Sequence, residues 1–370
     1  MSEAFSAIRD AVLALCRQGV RPISDDVFDD MARRIFRYQL ANDPALAAYA
    51  RRRGVTADVS HWQQIPGVPT AAFKELALAG GAPDHAEAVF RTSGTTRGSQ
   101  ARGTHYVRDL GLYRASLMPT FETYVLPDGA RPRMLSLIPH PEDAPDSSLS
   151  FMVGALMDEL APDDSGWFAS PTGLDVAGLE AALAARDAGP VCLLGTSAAF
   201  IHWLDDLSGR GVSLALPEGS RLMDTGGYKG RGRAVSGDAL RREYVRRLGI
   251  PEAACVNEYG MTEMLSQFYD STLWDSMRGR SAPAGVRRKL GPPWVRTVVV
   301  DGESLQPVPI GDIGLLRHYD LANVASVLAI QTEDVGRAQY DGFVLLGRAA
   351  GAPPRGCSLA MDQLLHAEDR

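Results

Sequence analysis

Residues 90–100 read FRTSGTTRGSQ, a stretch that contains three threonines, two serines and two glycines. Glycine and small hydroxyl residues are typical of a loop. The extended run AEAVF precedes the stretch, and YVRDLGLYRASLMPTF, which can form a helix, follows it. Successive backbone N–H groups in such a turn can converge on an anion, and the hydroxyls add further donors. No lysine follows the second glycine as in the G-x-x-x-x-G-K-[ST] pattern, so by itself the stretch is more often only a solvated turn.

A second stretch, VNEYGMTE at 256–263, leads from a short apolar run into two carboxylates, an aromatic ring and a hydroxyl. A carboxylate such as that of Glu263 can hold a Mg²⁺ ion that bridges phosphates. The ring of Tyr259 offers a face for a purine. The alternative is a strand-to-helix turn in which Glu263 lies in the first helical turn, where the helix dipole favours an acid.

Two shorter stretches follow near the end of the chain. QTEDVGR at 331–337 is predicted to place Glu333 and Asp334 at the end of a strand, where an aspartate can accept hydrogen bonds from a ribose. LGRAAG at 346–351 then presents Arg348. Taken singly, each of these stretches is an ordinary surface turn.

The remainder of the chain indicates an α/β protein. Between about residues 85 and 285, apolar runs such as PRMLSLIP and GPVCLLGT alternate with amphipathic segments such as SAAFIHWLDDLSGRG. This alternation predicts a mainly parallel central sheet flanked by helices. After Gly291, β-like runs with Asp-Gly turns predict a small antiparallel sheet or barrel. We expect four regions: a helical N-terminal region (1–84), an α/β core (85–288), a small β subdomain (289–348), and a C-terminal tether with one short helix (349–370).

The N-terminal region carries apolar residues at helical spacing. AFSAIRDAVLALCRQ has this periodicity. Residues 24–54 begin with Ser-Asp-Asp, a good N-cap, and end at Gly54, which predicts one helix across that range.

Composition limits the class of protein. The chain has 370 residues, 45% of them hydrophobic, and a net charge of -7, which argues against a general nucleic-acid binder. No run of 18 apolar residues and no signal peptide are present in this sequence, so no membrane span is expected. Four cysteines lie far apart without metal spacing, which favours a cytoplasmic protein with free thiols. Cys16, Cys192 and Cys255 stand in apolar runs and are expected in the core.

In their order along the chain, the four stretches resemble the adenylate-forming superfamily of acyl-CoA synthetases, luciferases and peptide-synthetase adenylation domains. The resemblance spans about residues 85–350, and it implies an ATP-binding adenylation core that also uses Mg²⁺. It implies that Tyr259 stacks on adenine, Thr262 contacts phosphate, Glu263 binds Mg²⁺, and Asp334 and Arg348 hold the ribose. The other positions that it assigns to ATP are Thr92, Ser93, Gly94, Thr95, Thr96 and Arg97 in the first stretch, Gly226 and Gly227 in DTGGYKG, and Glu258, Gly260 and Met261 in the second stretch.

Two departures from the superfamily pattern stand out. The phosphate loop has Arg97 where the pattern has glycine, and it lacks the usual lysine, so Arg97 or Arg102 could supply the missing charge. The sequence continues for only 22 residues after Arg348, without the mobile domain that carries a catalytic lysine. Lys229 is a candidate replacement for that lysine, although a solvated charge in a basic loop is the commoner role.

In its second departure, the chain resembles one branch of the superfamily, the acyl-protein synthetases of the bacterial luminescence fatty-acid reductase system. That resemblance implies that Cys357 is an acyl acceptor, with a thiol that forms a thioester. A small residue at a helix cap is the alternative for Cys357. The acyl site is harder to predict: His140 and Ser148 are candidates for its carboxylate end, and Thr196 lies at another strand end. His140 could equally be an ordinary loop histidine.

The expected function is ATP-dependent activation of a carboxylic acid as acyl-AMP, followed by transfer to Cys357 and hand-over to a partner such as an acyl reductase. The resemblance implies that the acid is a fatty acid. One alternative is a ligase that releases the acyl group to coenzyme A or to a carrier protein. A second alternative is a non-catalytic nucleotide- or acyl-binding regulator.

Overall fold

The computed structural model describes residues 2–92, 102–185, 189–226, 235–280 and 286–349. These residues group into two units. Unit 1 lies within residues 1–120, 261–267 and 288–370, and unit 2 lies within residues 121–260 and 268–287. Each unit is described by itself.

The helices and strands follow in chain order. The α-helices are α1 (Glu3–Cys16), α2 (Asp25–Asn42), α3 (Pro44–Arg52), α4 (Ala72–Glu75), α5 (Leu110–Val125), α6 (Ser148–Leu160), α7 (Val176–Leu183), α8 (Ser197–Gly209), α9 (Gly237–Leu248) and α10 (Thr272–Ser276). The strands are β1 (Val68–Pro69), β2 (Ala88–Arg91), β3 (Thr104–Val107), β4 (Arg133–Leu137), β5 (Gly166–Trp167), β6 (Ala169–Ser170), β7 (Gly173–Leu174), β8 (Val191–Thr196), β9 (Arg221–Thr225), β10 (Cys255–Tyr259), β11 (Phe268–Asp270), β12 (Arg288–Leu290), β13 (Val295–Val300), β14 (Ile313–Asp320), β15 (Ala329–Ala338) and β16 (Phe343–Arg348). Short 3₁₀ turns cover Trp62–Gln64, Pro83–His85 and Glu252–Ala254.

The N-terminal part of unit 1 is helical, but the single helix predicted across residues 24–54 is wrong. Helix α2 begins after Ser24, whose hydroxyl accepts from the Val27 N–H, and it ends before Asp43. The backbone of Asp43 is extended, and its carboxylate caps α3 by accepting from the Leu46 N–H at 3.0 Å. Proline lacks an N–H and clashes with the preceding turn, so Pro44 starts a new helix rather than continuing the first.

The main sheet of unit 1 is antiparallel. Its strand order is β13-β14-β15-β16-β12, and the short β1 pairs parallel with β15. Strand β15 is long enough to contain Asp334, which pairs in register with Arg348 on β16. The prediction that Glu333 and Asp334 end a strand is therefore wrong, because β15 continues through a register shift at Val335 and Gly336.

A separate pair of strands in unit 1 flanks the first sequence stretch. Strands β2 and β3 are antiparallel, and Phe90 pairs with His105. The ring of Phe90 is fully buried and meets the ring of Tyr113 edge-on at 6.1 Å. The two strands on either side of residues 93–101 thus form an antiparallel pair with a packed apolar side.

The sheet of unit 2 has the order β11-β10-β9-β8-β4-β5, and its pairs are parallel except for β10 with β11. Strands β9 and β10 are buried throughout, as expected for parallel strands covered on both faces. Helix α8 packs against β8 and β9. The register pairs Thr196 with Thr225 and Thr225 with Glu258, so the carboxyl ends of three neighbouring strands lie side by side.

The predicted fold class is confirmed. Unit 2 supplies the mainly parallel sheet flanked by helices, and the strands after Gly291 form the predicted antiparallel sheet. Among the residues described, no helix has both the length and the apolar character needed to cross a membrane.

Candidate functional site

The base of the predicted phosphate loop is closed by hydrogen bonds within unit 1. The Gly103 N–H donates to Thr92 Oγ1 at 2.8 Å, and the Thr92 N–H donates to the Gly103 carbonyl at 2.9 Å. Arg102 donates from Nε to the Thr92 carbonyl at 2.6 Å and from Nη2 to the Arg91 carbonyl at 3.2 Å. Part of the Arg102 guanidinium is therefore used to hold the main chain at the base of the loop.

Three buried side chains of unit 1 anchor the segment at 261–267. His105 Nδ1 lies 2.7 Å from the Thr262 carbonyl oxygen, and Asn323 Nδ2 donates to the Glu263 carbonyl at 2.8 Å. Asp320 accepts from the Leu265 N–H at 3.1 Å and from the Ser266 hydroxyl at 2.7 Å. The segment forms a turn, in which the Met264 N–H donates to the Met261 carbonyl, rather than the first turn of a helix.

The burial of His105 fixes its charge state. The residue is 1% exposed, and burial lowers the pKa of its imidazole to about 4, so the ring is neutral at neutral pH. Its partner is a carbonyl oxygen, which can only accept, so Nδ1 carries the hydrogen.

Glu263 is the most unusual carboxylate of unit 1. Its exposed fraction is 6%, and burial raises the pKa of its carboxyl group to about 7. Arg348 and Lys74 act on it in the opposite direction, and Asp334 raises its pKa further. Within the described ranges, the carboxylate makes no ion pair. A backbone hydrogen bond within Glu263 also lowers its pKa. A buried carboxylate that makes no ion pair and is influenced by a second carboxylate can bind a cation.

Asp334 and Arg348 lie on neighbouring strands of unit 1. Asp334 is half-buried, and its N–H donates to Thr332 Oγ1 at 3.1 Å. Arg348 is 58% exposed, and its guanidinium pairs with the Glu333 carboxylate at 3.2 Å. The structure therefore places the two predicted ribose residues next to each other, and it adds Glu333 as the partner that holds Arg348.

In unit 2, Glu258 and Tyr259 lie at the carboxyl end of β10. Both are buried, with Glu258 4% exposed and Tyr259 8% exposed. The Thr225 hydroxyl donates to the Glu258 carboxylate. The ring of Tyr259 packs tilted against Phe268, with centroids 5.9 Å apart.

A second polar group of unit 2 supports these strand ends. Asp224 accepts from the Tyr244 hydroxyl at 3.0 Å, from the Ser197 hydroxyl at 3.3 Å and from Asn257 Nδ2 at 2.9 Å. Gly226 follows with φ of +86°, and no described atom lies within 4 Å of the position that its Cβ would take. This left-handed conformation explains the requirement for glycine at 226.

The three predicted acyl-site residues have ordinary structural roles in unit 2. Thr196 caps α8, because its hydroxyl accepts from the Ala199 N–H at 3.1 Å. His140 accepts at Nδ1 from the Glu142 N–H at 3.2 Å, and its ring meets Trp167 edge-on at 4.9 Å. Ser148 is the first residue of α6. Their roles toward a substrate stay predictions.

Comparison with known proteins identifies the family. The family described as "Acyl-protein synthetase, LuxE" matches residues 175–366, which is more than half of the chain. The chain belongs to this family.

One curated relative of this chain is the "Long-chain-fatty-acid--luciferin-component ligase" of Aliivibrio fischeri. It is 33% identical over 88 residues, a match that covers 21% of this chain and 23% of the relative. The match thus spans less than a quarter of the relative's length.

Solved structures support the fold. A crystal structure of 2-hydroxyisobutyryl-CoA ligase in the postadenylation state, in complex with 2-HIB-AMP, has a TM-score of 0.61 at 14% identity and covers 92% of this chain and 68% of that one. An open conformation of the same ligase, with 2-HIB-AMP and CoA, also has a TM-score of 0.61, at 15% identity, and covers 92% and 79%. At these identities the likeness concerns the fold alone.

Several of the predicted site residues lie outside the described ranges, and their roles stay predictions. They are Ser93, Gly94, Thr95, Thr96, Arg97, Gly227, Lys229 and Cys357. The other three cysteines, Cys16, Cys192 and Cys255, are buried, as predicted. Burial raises the pKa of each of these thiols, to about 12 for Cys192, so none is a thiolate at neutral pH.

Sequence reasoning missed the residues that hold the predicted ones in place, namely His105, Asp320, Asn323, Glu333 and Thr225. These residues contact partners that are distant in sequence or lie on neighbouring strands. They therefore belong to no motif of fixed spacing in the sequence. His105 leaves a weak signal in the sequence. It follows the loop stretch by a few residues and takes a buried position in a strand whose burial alternates.

Proposed function

We propose that this chain activates a carboxylic acid with ATP as an acyl-adenylate and then transfers the acyl group to a thiol. The observation that carries the proposal is Glu263, a buried carboxylate whose pKa is raised to about 7 and which makes no ion pair among the described residues. Burial disfavours the charged form of this group, and a bound cation would favour it. Membership of the acyl-protein synthetase family supports the same reaction class.

The donor set fits Mg²⁺. Among the described residues, no three His, Cys, Asp or Glu side chains form a cluster that could hold a metal ion. Mg²⁺ is commonly bound by one or two carboxylates together with substrate phosphates, and Glu263 can supply the carboxylate. When bound, Mg²⁺ would neutralise charge that develops on the phosphates.

In the first step, an oxygen of the substrate carboxylate attacks the α-phosphorus of ATP, a P–O bond forms, and pyrophosphate leaves with the electrons of the broken bond. We propose that the N–H and hydroxyl groups of residues 92–97 bind the phosphates, and that Thr262 adds a hydroxyl. The Tyr259 ring stacks on adenine, beside Gly226, and Asp334 accepts from the ribose hydroxyls with Arg348 beside it. Positioning and electrostatics then provide most of the catalysis.

The remaining ATP assignments stay part of the proposal. Glu258, Gly260 and Met261 border the nucleotide, with Glu258 oriented by the Thr225 hydroxyl. Gly227 continues the loop after Gly226. Lys229 is proposed to act near the phosphates of ATP.

In the second step, a thiolate attacks the acyl carbon, a C–S bond forms, and AMP leaves as the C–O bond to it breaks. We propose that the thiol is Cys357, which loses its proton to solvent before the attack. The acyl group then passes to a partner protein, such as an acyl reductase or carrier. The name of the Aliivibrio fischeri relative supports a long-chain fatty acid as the substrate. We also propose a cytoplasmic location, because the four cysteines lie far apart without metal spacing.

The first step is tested with a panel of carboxylic acids in an ATP–pyrophosphate exchange assay. Long-chain fatty acids are expected to support Mg²⁺-dependent exchange, and short-chain or aromatic acids to support less. If none of the acids supports exchange, the ligase is rejected and a non-catalytic binding protein remains.

The second step is tested by incubating the protein with ATP and labelled fatty acid, followed by digestion. The label is expected on the peptide that contains Cys357, and the Cys357→Ser variant should retain exchange but lose the label. If Cys357→Ser still forms thioester with added coenzyme A or a carrier protein at the wild-type rate, the acceptor is external.

A further inference from the structure

One side chain of unit 1 connects the hairpin of the predicted phosphate loop with the turn that carries Glu263. His105 lies on β3, directly after the loop stretch, and pairs with Phe90 on β2. Its Nδ1 lies 2.7 Å from the carbonyl oxygen of Thr262, which is 157 residues away in sequence. The residue before Glu263 is therefore held by the strand that leaves the loop.

The ring of His105 has a fixed orientation. The residue is 1% exposed, and the Phe73 ring meets the imidazole edge-on, at 5.9 Å between centroids and 89° between planes. A neutral Nδ1–H facing a carbonyl at this distance is a good hydrogen bond. Buried polar groups of this kind specify one geometry because the carbonyl is costly to leave without a donor.

We propose that His105 is a positioning residue that fixes the Thr262–Glu263 turn relative to the hairpin of the phosphate loop, so that the Glu263 carboxylate is preorganised for Mg²⁺-ATP. This inference rests on the proposed function. His105 is not among the residues that the proposed function assigns to ATP, Mg²⁺ or the acyl group. His105 acts through the main chain of Thr262 and is not a catalytic residue.

Other hydrogen bonds to the same segment confine the effect of losing the His105 donor to the turn at Thr262. Asn323 holds the Glu263 carbonyl, and Asp320 holds the Leu265 N–H and the Ser266 hydroxyl. Removal of the His105 donor thus releases the turn at Thr262 while the rest of the segment stays anchored. Small losses of preorganisation at a site of this kind weaken binding and turnover more than they weaken the fold.

Three variants test the role. His105→Asn keeps a donor at the same number of bonds from the backbone as Nδ1, and His105→Leu removes it while keeping an apolar side chain. His318→Leu is the matched control. His318 is a fully buried histidine of unit 1 whose Nδ1 lies 2.9 Å from Thr297 Oγ1 and whose ring packs against Phe343.

The readouts are the KM for Mg²⁺-ATP and the KM for the acid in pyrophosphate exchange, each corrected for the folded fraction. For His105→Leu we expect the KM for Mg²⁺-ATP to rise roughly 5- to 20-fold, as for loss of one well-placed hydrogen bond, while the KM for the acid changes little. His105→Asn should restore most of the loss. His318→Leu should lower stability and leave both KM values unchanged.

A merely structural role predicts that His105→Leu and His318→Leu reduce the folded fraction alike and leave the KM for Mg²⁺-ATP at the wild-type value, which would overturn the proposal. Crystal structures of wild type and His105→Leu decide the same question without activity. A displacement of the Glu263 carboxylate supports positioning, and an unchanged carboxylate overturns it. If wild type gives no exchange with any acid, the proposed function fails, and the crystal structures alone still give the result for His105.

Discussion

The two glutamates of the stretch VNEYGMTE are both buried, but their surroundings differ. Glu258, in unit 2, accepts a hydrogen bond from the Thr225 hydroxyl at the end of a neighbouring strand. Asn323 donates to the main-chain carbonyl of Glu263 in unit 1, and the Glu263 carboxylate makes no ion pair among the described residues. The difference shows that a neighbouring side chain orients Glu258, and under the proposed function the Glu263 carboxylate would be available for a ligand.

The comparison is tested most strongly at Glu263. The Glu263→Gln variant keeps the shape and removes the charge, so we expect pyrophosphate exchange to fall roughly 100-fold or more if the carboxylate contributes several kcal/mol through a cation. Exchange at saturating acid and varied Mg²⁺ measures this.

Glu122→Gln is the matched control for this variant. Glu122 is partly exposed and pairs with Arg131, so the same chemical change there should leave exchange within twofold of wild type. Equal activity of wild type and Glu263→Gln would contradict the assignment of Glu263.

Stability against pH gives the second test. The pKa of Glu263 is raised from 4.5 to about 7 in the folded protein. Between these pH values the folded state binds a proton that the unfolded state has lost, so this contribution to the free energy of unfolding falls as the pH rises through the window. The loss is about 3 kcal/mol at pH 7 and above.

Urea unfolding at pH 5 and pH 8, without ATP or Mg²⁺, measures this loss. Wild type should lose more stability between the two values than Glu263→Gln does, and Glu122→Gln should behave as wild type. Identical pH dependence of wild type and Glu263→Gln would show that the carboxylate is not buried as described.

The third test concerns the partner of Glu258. Thr225→Val has nearly the same shape and lacks the hydroxyl, so we expect the free energy of unfolding to fall by about 1–3 kcal/mol. Thr225→Ser keeps the hydroxyl and should retain most of the stability. Urea midpoints for the two variants give the comparison, and equal loss in both would assign the effect to packing rather than to the hydrogen bond.

The smallest effect is expected at the ion pair between Glu333 and Arg348. The pair is partly exposed, so Glu333→Gln should change the free energy of unfolding by less than about 0.5 kcal/mol. Release of Arg348 should change the KM for ATP by no more than roughly threefold, an estimate based on the modest energy of exposed pairs. Exchange kinetics measure this, and a loss as large as that of Glu263→Gln would assign Glu333 to the site itself.

Much of the fold was predictable from sequence. Apolar runs bounded by turn residues predicted β4, β8, β9 and β10, because buried parallel strands need side chains that are apolar on both faces. The order of four motifs predicted the adenylate-forming superfamily, and the second departure from its pattern predicted the acyl-protein synthetase family, which is confirmed. The domain boundaries stay predictions. The break at Pro44 and the length of β15 were missed, although Pro44 is a local signal in the sequence.

The candidate site, like the fold, was predicted from the sequence only in part. The sequence by itself predicted which residues carry the chemistry, because the resemblance to the adenylate-forming superfamily assigns roles to Glu263, Asp334 and Arg348. Only the tertiary structure decided their states: the burial that raises the pKa of Glu263, the Glu333 partner of Arg348, and the His105 bond to Thr262. A hydrogen bond between residues 105 and 262 leaves no local pattern, because the chain brings them together only by folding.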